Sequence, residues 1–381
     1  MTIDAVKNYT RLMAPAYEDM DQLAVWTLFA TMFTTGETIV TDAQVIDIDI
    51  RRGNKKLAAY IARGADAINI ANKRSTLQKY SDVSRVFPLI EEVTPITSDM
   101  VGKRLPGESV YNGLTRMERQ IALSMKGHKE DLNRIIRKIE ASAAESIRTG
   151  AQTVKEGAYD FYRRSTHNAS AGTVWSDAAN ATPISDFQTS GDLIFRDGNR
   201  RPTDIIFSGE SWDEFLNTTQ IKNLADNRRI IHFRSDMNED FPPEYAAWFN
   251  AGAVYQGKVK AGDWTFNMWT YPAIYDADDG TQTQYLPDGE VIVLAKQARF
   301  DRYFGPADRL EMADEAFYMR AYGLGDMDAD LAQVQNAGIF RSDFFHFDAY
   351  GGNNNKALNV RTQCAPILPT TETDAIVKLT T

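Results

Sequence analysis

LTRMERQIALSMKGHKEDLNRIIRKIEASAAESIRTG occupies residues 114–150. Its apolar residues Leu114, Met117, Ile121, Met125, Leu132, Ile135, Ile139, Ala143 and Ile147 recur at steps of three, four or seven, with polar residues between them. That spacing predicts one amphipathic helix, closed by Gly150 at its C-terminal cap. At 1.5 Å per residue the helix is roughly 50 Å long, more than a compact domain needs, so it reads as a spine. Gly127 is its weak point, at up to ~1 kcal/mol relative to alanine.

Upstream of the spine, AQVIDIDI sets Val45, Asp47 and Asp49 on one face and Ile46, Ile48 and Ile50 on the other. This is the period of a half-buried strand, expected to end near Ile50 at the turn RRGNKK. From Arg51 to Arg85 nine basic residues stand against two acids, a charge of +7 inside a chain of −10, so the other 346 residues carry −17. Such asymmetry suggests an arm meant for an acidic partner; a solvated basic face is the plainer reading. Further upstream, LAVWTLFATMF (Leu23 to Phe33) follows Glu18, Asp19 and Asp21. It is about half the roughly 20 residues needed to span a bilayer and lacks a basic leader, so it is expected to be a buried helix.

Downstream the pattern is α+β. Strands are expected at Asp204 to Phe207, Ala253 to Val259, Thr265 to Tyr271 and Val291 to Leu294, and short helices at Trp212 to Asn217 and near Leu331. GGNNNK (Gly351 to Lys356) reads as a loop.

Composition narrows the function. The 381 residues are 43% hydrophobic and 25% charged, an ordinary globular mixture. An excess of 52 acidic over 42 basic residues disfavours clamping nucleic acid through its phosphates. Cys364 is the one cysteine, which rules out an intrachain disulfide and cysteine-based metal clusters.

Several catalytic motifs are approached and missed. Gly252 to Lys258 matches GxxxxGK, but Val259 follows where a phosphate loop needs Ser or Thr, and a β-hairpin is expected. GESWD (Gly209 to Asp213) resembles a nucleophile elbow around Ser211, but Asp213 replaces the second glycine. Ser211 is therefore expected to cap the helix beginning at Trp212. The acidic turns at Asp276 to Gly280 and Asp326 to Asp330 lack the spacing of a calcium loop. The four histidines, His128, His167, His232 and His346, lie too far apart in sequence for a recognisable metal motif. No catalytic residue, cofactor or metal is expected.

Five stretches, in order along the chain, resemble the phage capsid protein E family, the major capsid proteins of phage lambda and its relatives. They are RLPGES (104–109), GTVWS (172–176), DIIFSGESWDEF (204–215), YLPDGEVIVLAKQARFDRYFG (285–305) and QCAPILPTTETDAIVKLTT (363–381). The resemblance implies the tailed-phage shell fold named after phage Hong Kong 97. Mapped onto this chain it implies an N-terminal arm at 1–36, an extended hairpin or E-loop at 37–101, and a peripheral domain with the spine at 102–184. An axial domain would fill most of 185–355, and 356–381 would return to the peripheral domain as a closing strand.

The function implied is a structural head protein that assembles with copies of itself into an icosahedral shell around double-stranded DNA, without sequence-specific contacts and without a membrane. Scaffold, portal and decoration proteins are implied partners, the scaffold a separate protein. Assembly would take place in the host cytoplasm and the product would reside in the virion. Inter-subunit contacts are expected at Arg51, Arg52, Lys55, Lys56, Lys73 and Arg74, with the first four at the hairpin tip. Asp263, Asp276, Asp278 and Asp279 are the expected acidic counterpart, in a stretch to Glu290 that also holds Asp288 and no basic residue. A crosslink from Lys55 or Lys56 to Asn353–Asn355 is not expected. Two other readings are a soluble serine hydrolase using Ser211 and a binder of single-stranded nucleic acid stacking bases on Tyr60 and Tyr80.

Overall fold

The computed structural model describes residues 27–53, 77–106, 108, 113–155, 157–226, 245–277, 280–306, 339–341, 345–351 and 357–381. Lys55, Lys56, Tyr60, Lys73, Arg74, Asp278, Asp279, Asn353–Asn355 and the helix expected near Leu331 lie outside them.

The first elements are α1 (Leu28–Met32), β1 (Thr38–Val40), β2 (Val45–Gly53), β3 (Leu77–Val86), β4 (Ile90–Thr97) and α2 (Ser98–Gly102). The alternation in β2 is realised: Ile48 and Ile50 are buried while Val45 and Asp47 are exposed. The strand does not stop at Ile50. A bulge there lets Arg51, Arg52 and Gly53 continue the antiparallel pairing with β3, because the partner strand supplies ladder hydrogen bonds that the turn signal does not reveal.

The spine is α3 (Arg116–Thr149), 34 residues long. Thr115 and Glu118 form a reciprocal capping box, with Thr115 N–H donating to the Glu118 carboxylate at 2.6 Å and Glu118 N–H donating to Thr115 Oγ1 at 3.3 Å. Gly150 closes the other end at φ 75°, a left-handed conformation natural to glycine. The half-buried Arg163 guanidinium donates to the last carbonyls, of Ser146, Ile147 and Arg148. Desolvation there pushes its pKa down to about 10. The C-terminal half of the spine enters the main core through Leu132, Ile135, Ile139, Ala143 and Ile147. Its first turns are less covered, with Leu114 and Met117 exposed.

After the spine come β5 (Ala151–Val154), β6 (Gly157–Asp160), β7 (Asn168–Ser170), α4 (Pro183–Gly198), β8 (Asp204–Phe207), α5 (Gly209–Asn217), α6 (Thr219–Asp226) and α7 (Ala246–Asn250). The remainder is β9 (Val254–Ala261), β10 (Trp264–Thr270), β11 (Ile274–Asp276), β12 (Gln282–Gln284), β13 (Glu290–Leu294), β14 (Arg302–Phe304), β15 (Ile339–Arg341), β16 (His346–Gly351), β17 (Ala357–Cys364), β18 (Pro366–Ile367) and β19 (Ile376–Thr380). GxxxxGK falls at the start of the β9–β10 hairpin, as expected.

Six strands form the central sheet in the order β7-β19-β13-β8-β10-β9. Aromatic rings of Trp175, Phe187, Phe207, Phe215 and Phe266 pack together beside it. A second sheet, β15-β16-β17-β4, lies against the N-terminal half of the spine. Gly127 is needed at that crossing, since a Cβ would stand 2.9 Å from Val360 Cγ2. Helix α1 is held by Glu140 of the spine, whose carboxylate accepts from Phe29 N at 3.0 Å, Ala30 N at 2.8 Å and the Tyr271 hydroxyl at 2.9 Å. Burial raises the pKa of this carboxyl.

Candidate assembly surface at the foot of the basic hairpin

The β2–β3 hairpin packs on the body through its two buried isoleucines, Ile48 and Ile50, which meet Phe87, Phe161, Tyr303, Ala365 and Ile367. Above that seam the backbone is fastened. Arg51 N–H donates to the Thr371 carbonyl at 2.8 Å, and Arg52 Nη2 donates to the Tyr162 carbonyl at 2.8 Å. Tyr162 itself sits at φ 56°, a conformation uncommon outside glycine. Gly53 passes so close to the end of α4 that a Cβ would lie 2.4 Å from the Asp197 carbonyl oxygen.

The segment Thr370–Asp374 receives these contacts although every residue in it is polar and buried. Buried charge requires partners, and it has them. Asp374 lies 3.0 Å from Arg164 Nε and 3.7 Å from Arg52 Nε. Glu372 is gripped by Arg200 through two hydrogen bonds of 2.8 and 2.7 Å. Next to it, His167 Nδ1 is 2.8 Å from the Ile376 carbonyl and Nε2 is 3.3 Å from Asp197. Three arginines from separate parts of the chain thus converge on one acidic segment. The arrangement can fix geometry, and its acids are spent on ion pairs.

Arg51 and Arg52 therefore stand in the paired part of the hairpin, with Arg52 engaged inside its own subunit. Strand β2, expected to end near Ile50, runs on to Gly53. On the expected acidic side, Asp263 is exposed in the β9–β10 turn and Asp276 is exposed at the end of β11. Asp288 accepts from Gln284 Nε2, and Glu290 is paired internally with Arg148 at 2.6 Å and Lys378 at 3.5 Å. The structure thus leaves Asp263 and Asp276 outward and withdraws Glu290. Sequence reasoning missed Glu140, Arg163, Arg164, Arg200, Glu372 and Asp374. Their partners lie 15 residues or more away in the chain, 172 in the case of Arg200 and Glu372, so no local spacing announces them.

The model of the phage major capsid protein E family matches residues 20–381. The chain belongs to that family. The putative capsid protein of a prophage of E. coli CFT073 is similar over 93% of each chain, with 15% identity and a TM-score of 0.62. The capsid of an empty GTA particle is similar at 9% identity and a TM-score of 0.42, over 93% of this chain and 91% of that one. The capsid of cyanophage P-SCSP1u gives 9% identity and a TM-score of 0.42, over 93% and 88%. No curated protein matches the sequence.

The fold is that of the Hong Kong 97 shells, and this capsid protein is a structural component of the virion that assembles with copies of itself. Its near-elbow is accordingly architectural. Ser211 is fully buried in the first turn of α5, where its Oγ accepts from Ser208 Oγ at 2.9 Å and from Gly289 N at 3.1 Å. Ser211 does not cap the helix. The cap is Ser208, whose Oγ accepts from Ser211 N at 3.2 Å, because the helix starts three residues earlier than the apolar pattern shows. Among the described residues no group of His, Cys, Asp or Glu is arranged to hold a metal, and no helix is long and apolar enough to cross a membrane.

Proposed function

We propose that this capsid protein builds the head of a tailed phage around double-stranded DNA by laying its basic hairpin across a neighbouring subunit. The observation that carries the reading is the foot of the hairpin. Arg51 and Arg52, the first two cations of the +7 segment, are anchored to the Thr371 and Tyr162 carbonyls of their own subunit, which suits a firmly rooted arm. Lys55, Lys56, Lys73 and Arg74 would make the inter-subunit contacts, with Asp263, Asp276, Asp278 and Asp279 as the acidic counterpart. The E-loop would be the hairpin within 37–101, the arm 1–36, the peripheral domain 102–184 and 356–381, and the axial domain most of 185–355. Assembly would take place in the host cytoplasm with a separate scaffold, a portal and a decoration protein, and DNA would be enclosed without sequence-specific contacts.

Electron microscopy of particles formed with the scaffold tests this. Exposed ion pairs are weak one by one, about 0.2–1 kcal/mol, and are screened over about 8 Å at physiological salt, but a shell repeats them. Lys55→Glu with Lys56→Glu should leave the subunit folded and reduce particle yield in a salt-dependent way. Arg52→Glu should lower subunit stability as well, since it meets Asp374. Normal yield from the lysine pair at low and high salt would refute the contact.

A further inference from the structure

The solvent face of the spine carries Lys126, Lys129, Glu130, Arg134, Arg137 and Lys138, all exposed. Every other acid from Glu118 to Glu145 on this helix is committed elsewhere. Glu118 is in the capping box, Asp131 is buried and accepts from Thr94 Oγ1 at 2.7 Å, Glu140 holds α1, and Glu145 accepts from Thr153 N at 3.0 Å. Five cations and one carboxylate remain outside. Glu130 pairs with Lys126 at 3.7 Å and Arg134 reaches Glu92 at 3.3 Å, both in solvent. Among the described residues no ion pair engages Lys129, Arg137 or Lys138.

A helix face designed only for water usually alternates its charges. Here Lys126 and Lys129, Arg134 and Arg137, and Arg134 and Lys138 put like charges three or four residues apart, while Glu130 alone offsets them, four residues from both Lys126 and Arg134. Five cations against one carboxylate leave the face a surplus of positive charge, which suits an anionic partner. No apolar residue between Lys126 and Lys138 is exposed, whereas protein partners usually bury an apolar centre. Charge is all this face offers.

We propose that the exposed face of the spine from Lys126 to Lys138 is a contact surface for the phosphate backbone of duplex DNA; this rests on the reading of a shell around DNA given above. The row is about 18 Å long, a length of duplex that presents roughly ten phosphate charges. Five cations meet that surplus without needing a base edge. On a subunit of net charge −10 they provide a reversible, salt-sensitive contact and not a clamp.

The test uses the full chain and a fluorescent 30-base-pair duplex as probe, with binding followed across a salt series. Lys129→Gln, Arg134→Gln, Arg137→Gln and Lys138→Gln together should weaken binding at low salt by more than tenfold. They should also flatten the salt dependence by about 0.9 in log K against log salt for each phosphate no longer neutralised. The pair Lys129→Gln with Lys138→Gln should give about half that change, which guards against misfolding of the quadruple variant. A control with the same charge change, Arg201, Lys222, Lys258 and Lys260 to Gln, should bind like the wild type. Absence of wild-type binding, or equal weakening in stripe and control variants, would overturn the proposal. Tighter binding to poly-glutamate than to the duplex, abolished in the stripe variant, would reassign the face to an acidic protein. Particle formation is scored separately by microscopy: intact particles without DNA binding sink this inference alone, whereas absence of particles from the wild type sinks the shell reading.

Discussion

Arg200 and Glu372 meet fork to fork, Nε to Oε2 at 2.8 Å and Nη2 to Oε1 at 2.7 Å, with the glutamate only 2% exposed. The pair spans 172 residues and ties the turn after α4 to the buried acidic segment. Removing the arginine strands a carboxylate away from water, which costs more than the pair itself contributes. Arg200→Ala should destabilise the subunit by about 3 kcal/mol in denaturant unfolding. Arg200→Lys, which keeps the charge but not the fork, should recover part of it. A loss below that of a typical surface substitution would show that the segment is held by other contacts.

His128 gives the acid limb of stability a recognisable component. Desolvation pushes its folded pKa down to about 4 from 6.5, while Nδ1 sits 3.1 Å from Thr362 Oγ1. The unfolded chain then binds a proton that the folded chain refuses. Its contribution is intact above pH 6.5 and is lost as pH falls towards 4, at up to about 1.4 kcal/mol per pH unit. The raised pKa values of Glu140 and Asp204 act in the opposite direction, so the difference between wild type and His128→Gln is the quantity to measure. That difference should grow between pH 6.5 and 4 and be flat above.

Gly127→Ala should destabilise despite alanine's better helix propensity. Alanine gains up to ~1 kcal/mol in the helix. Its Cβ would stand 2.9 Å from Cγ2 of the fully buried Val360 and 3.4 Å from Cγ2 of Thr94, whose Oγ1 is hydrogen-bonded to Asp131. Overpacking costs roughly 1–3 kcal/mol, so a net loss of about 1 kcal/mol is expected, read from the denaturation midpoint. A gain in stability would mean that the sheet yields to the helix.

Ser208→Ala and Ser211→Ala should separate cap from core. The first removes the N-cap acceptor, a loss of about 1 kcal/mol. The second leaves the part-buried Gly289 N–H without its 3.1 Å partner, at about 1 kcal/mol. Neither should alter turnover of generic esters, which wild-type protein is expected not to hydrolyse. Ester hydrolysis abolished by Ser211→Ala would restore the hydrolase reading.

Legibility in the sequence follows the range of the interaction. The spine, its glycine cap, the two faces of β2 and the strand Asp204–Phe207 are set by neighbours within a few residues, and their boundaries lie nearly where the sequence predicts them. The end of β2 comes later than the sequence suggests because Arg51 and Arg52 are strand residues only by virtue of β3, some 30 residues on. TTETDA, at 370–375, looks like a solvated turn, and nothing in it reveals that Arg52, Arg164 and Arg200 make its burial tolerable. The spine's basic row lies within a segment whose apolar stripe dominates its pattern. What sets the row apart is that the other helix acids are spent on caps and buried partners, which only the folded chain shows.

Strand β19 lies inside the central sheet, hydrogen-bonded to β13 on one side and to β7 on the other, yet it is the last of the six in chain order. A ribosome making this subunit has already released β8, β10 and β13 while the place between β13 and β7 is vacant. Until residue 380 emerges, β13 has an unpaired rim of the kind that invites foreign strands. Completion of the sheet thus waits for the last of its six strands, and chains without it, which also lack the segment hydrogen-bonded to Arg51, are poorly equipped to join a growing shell.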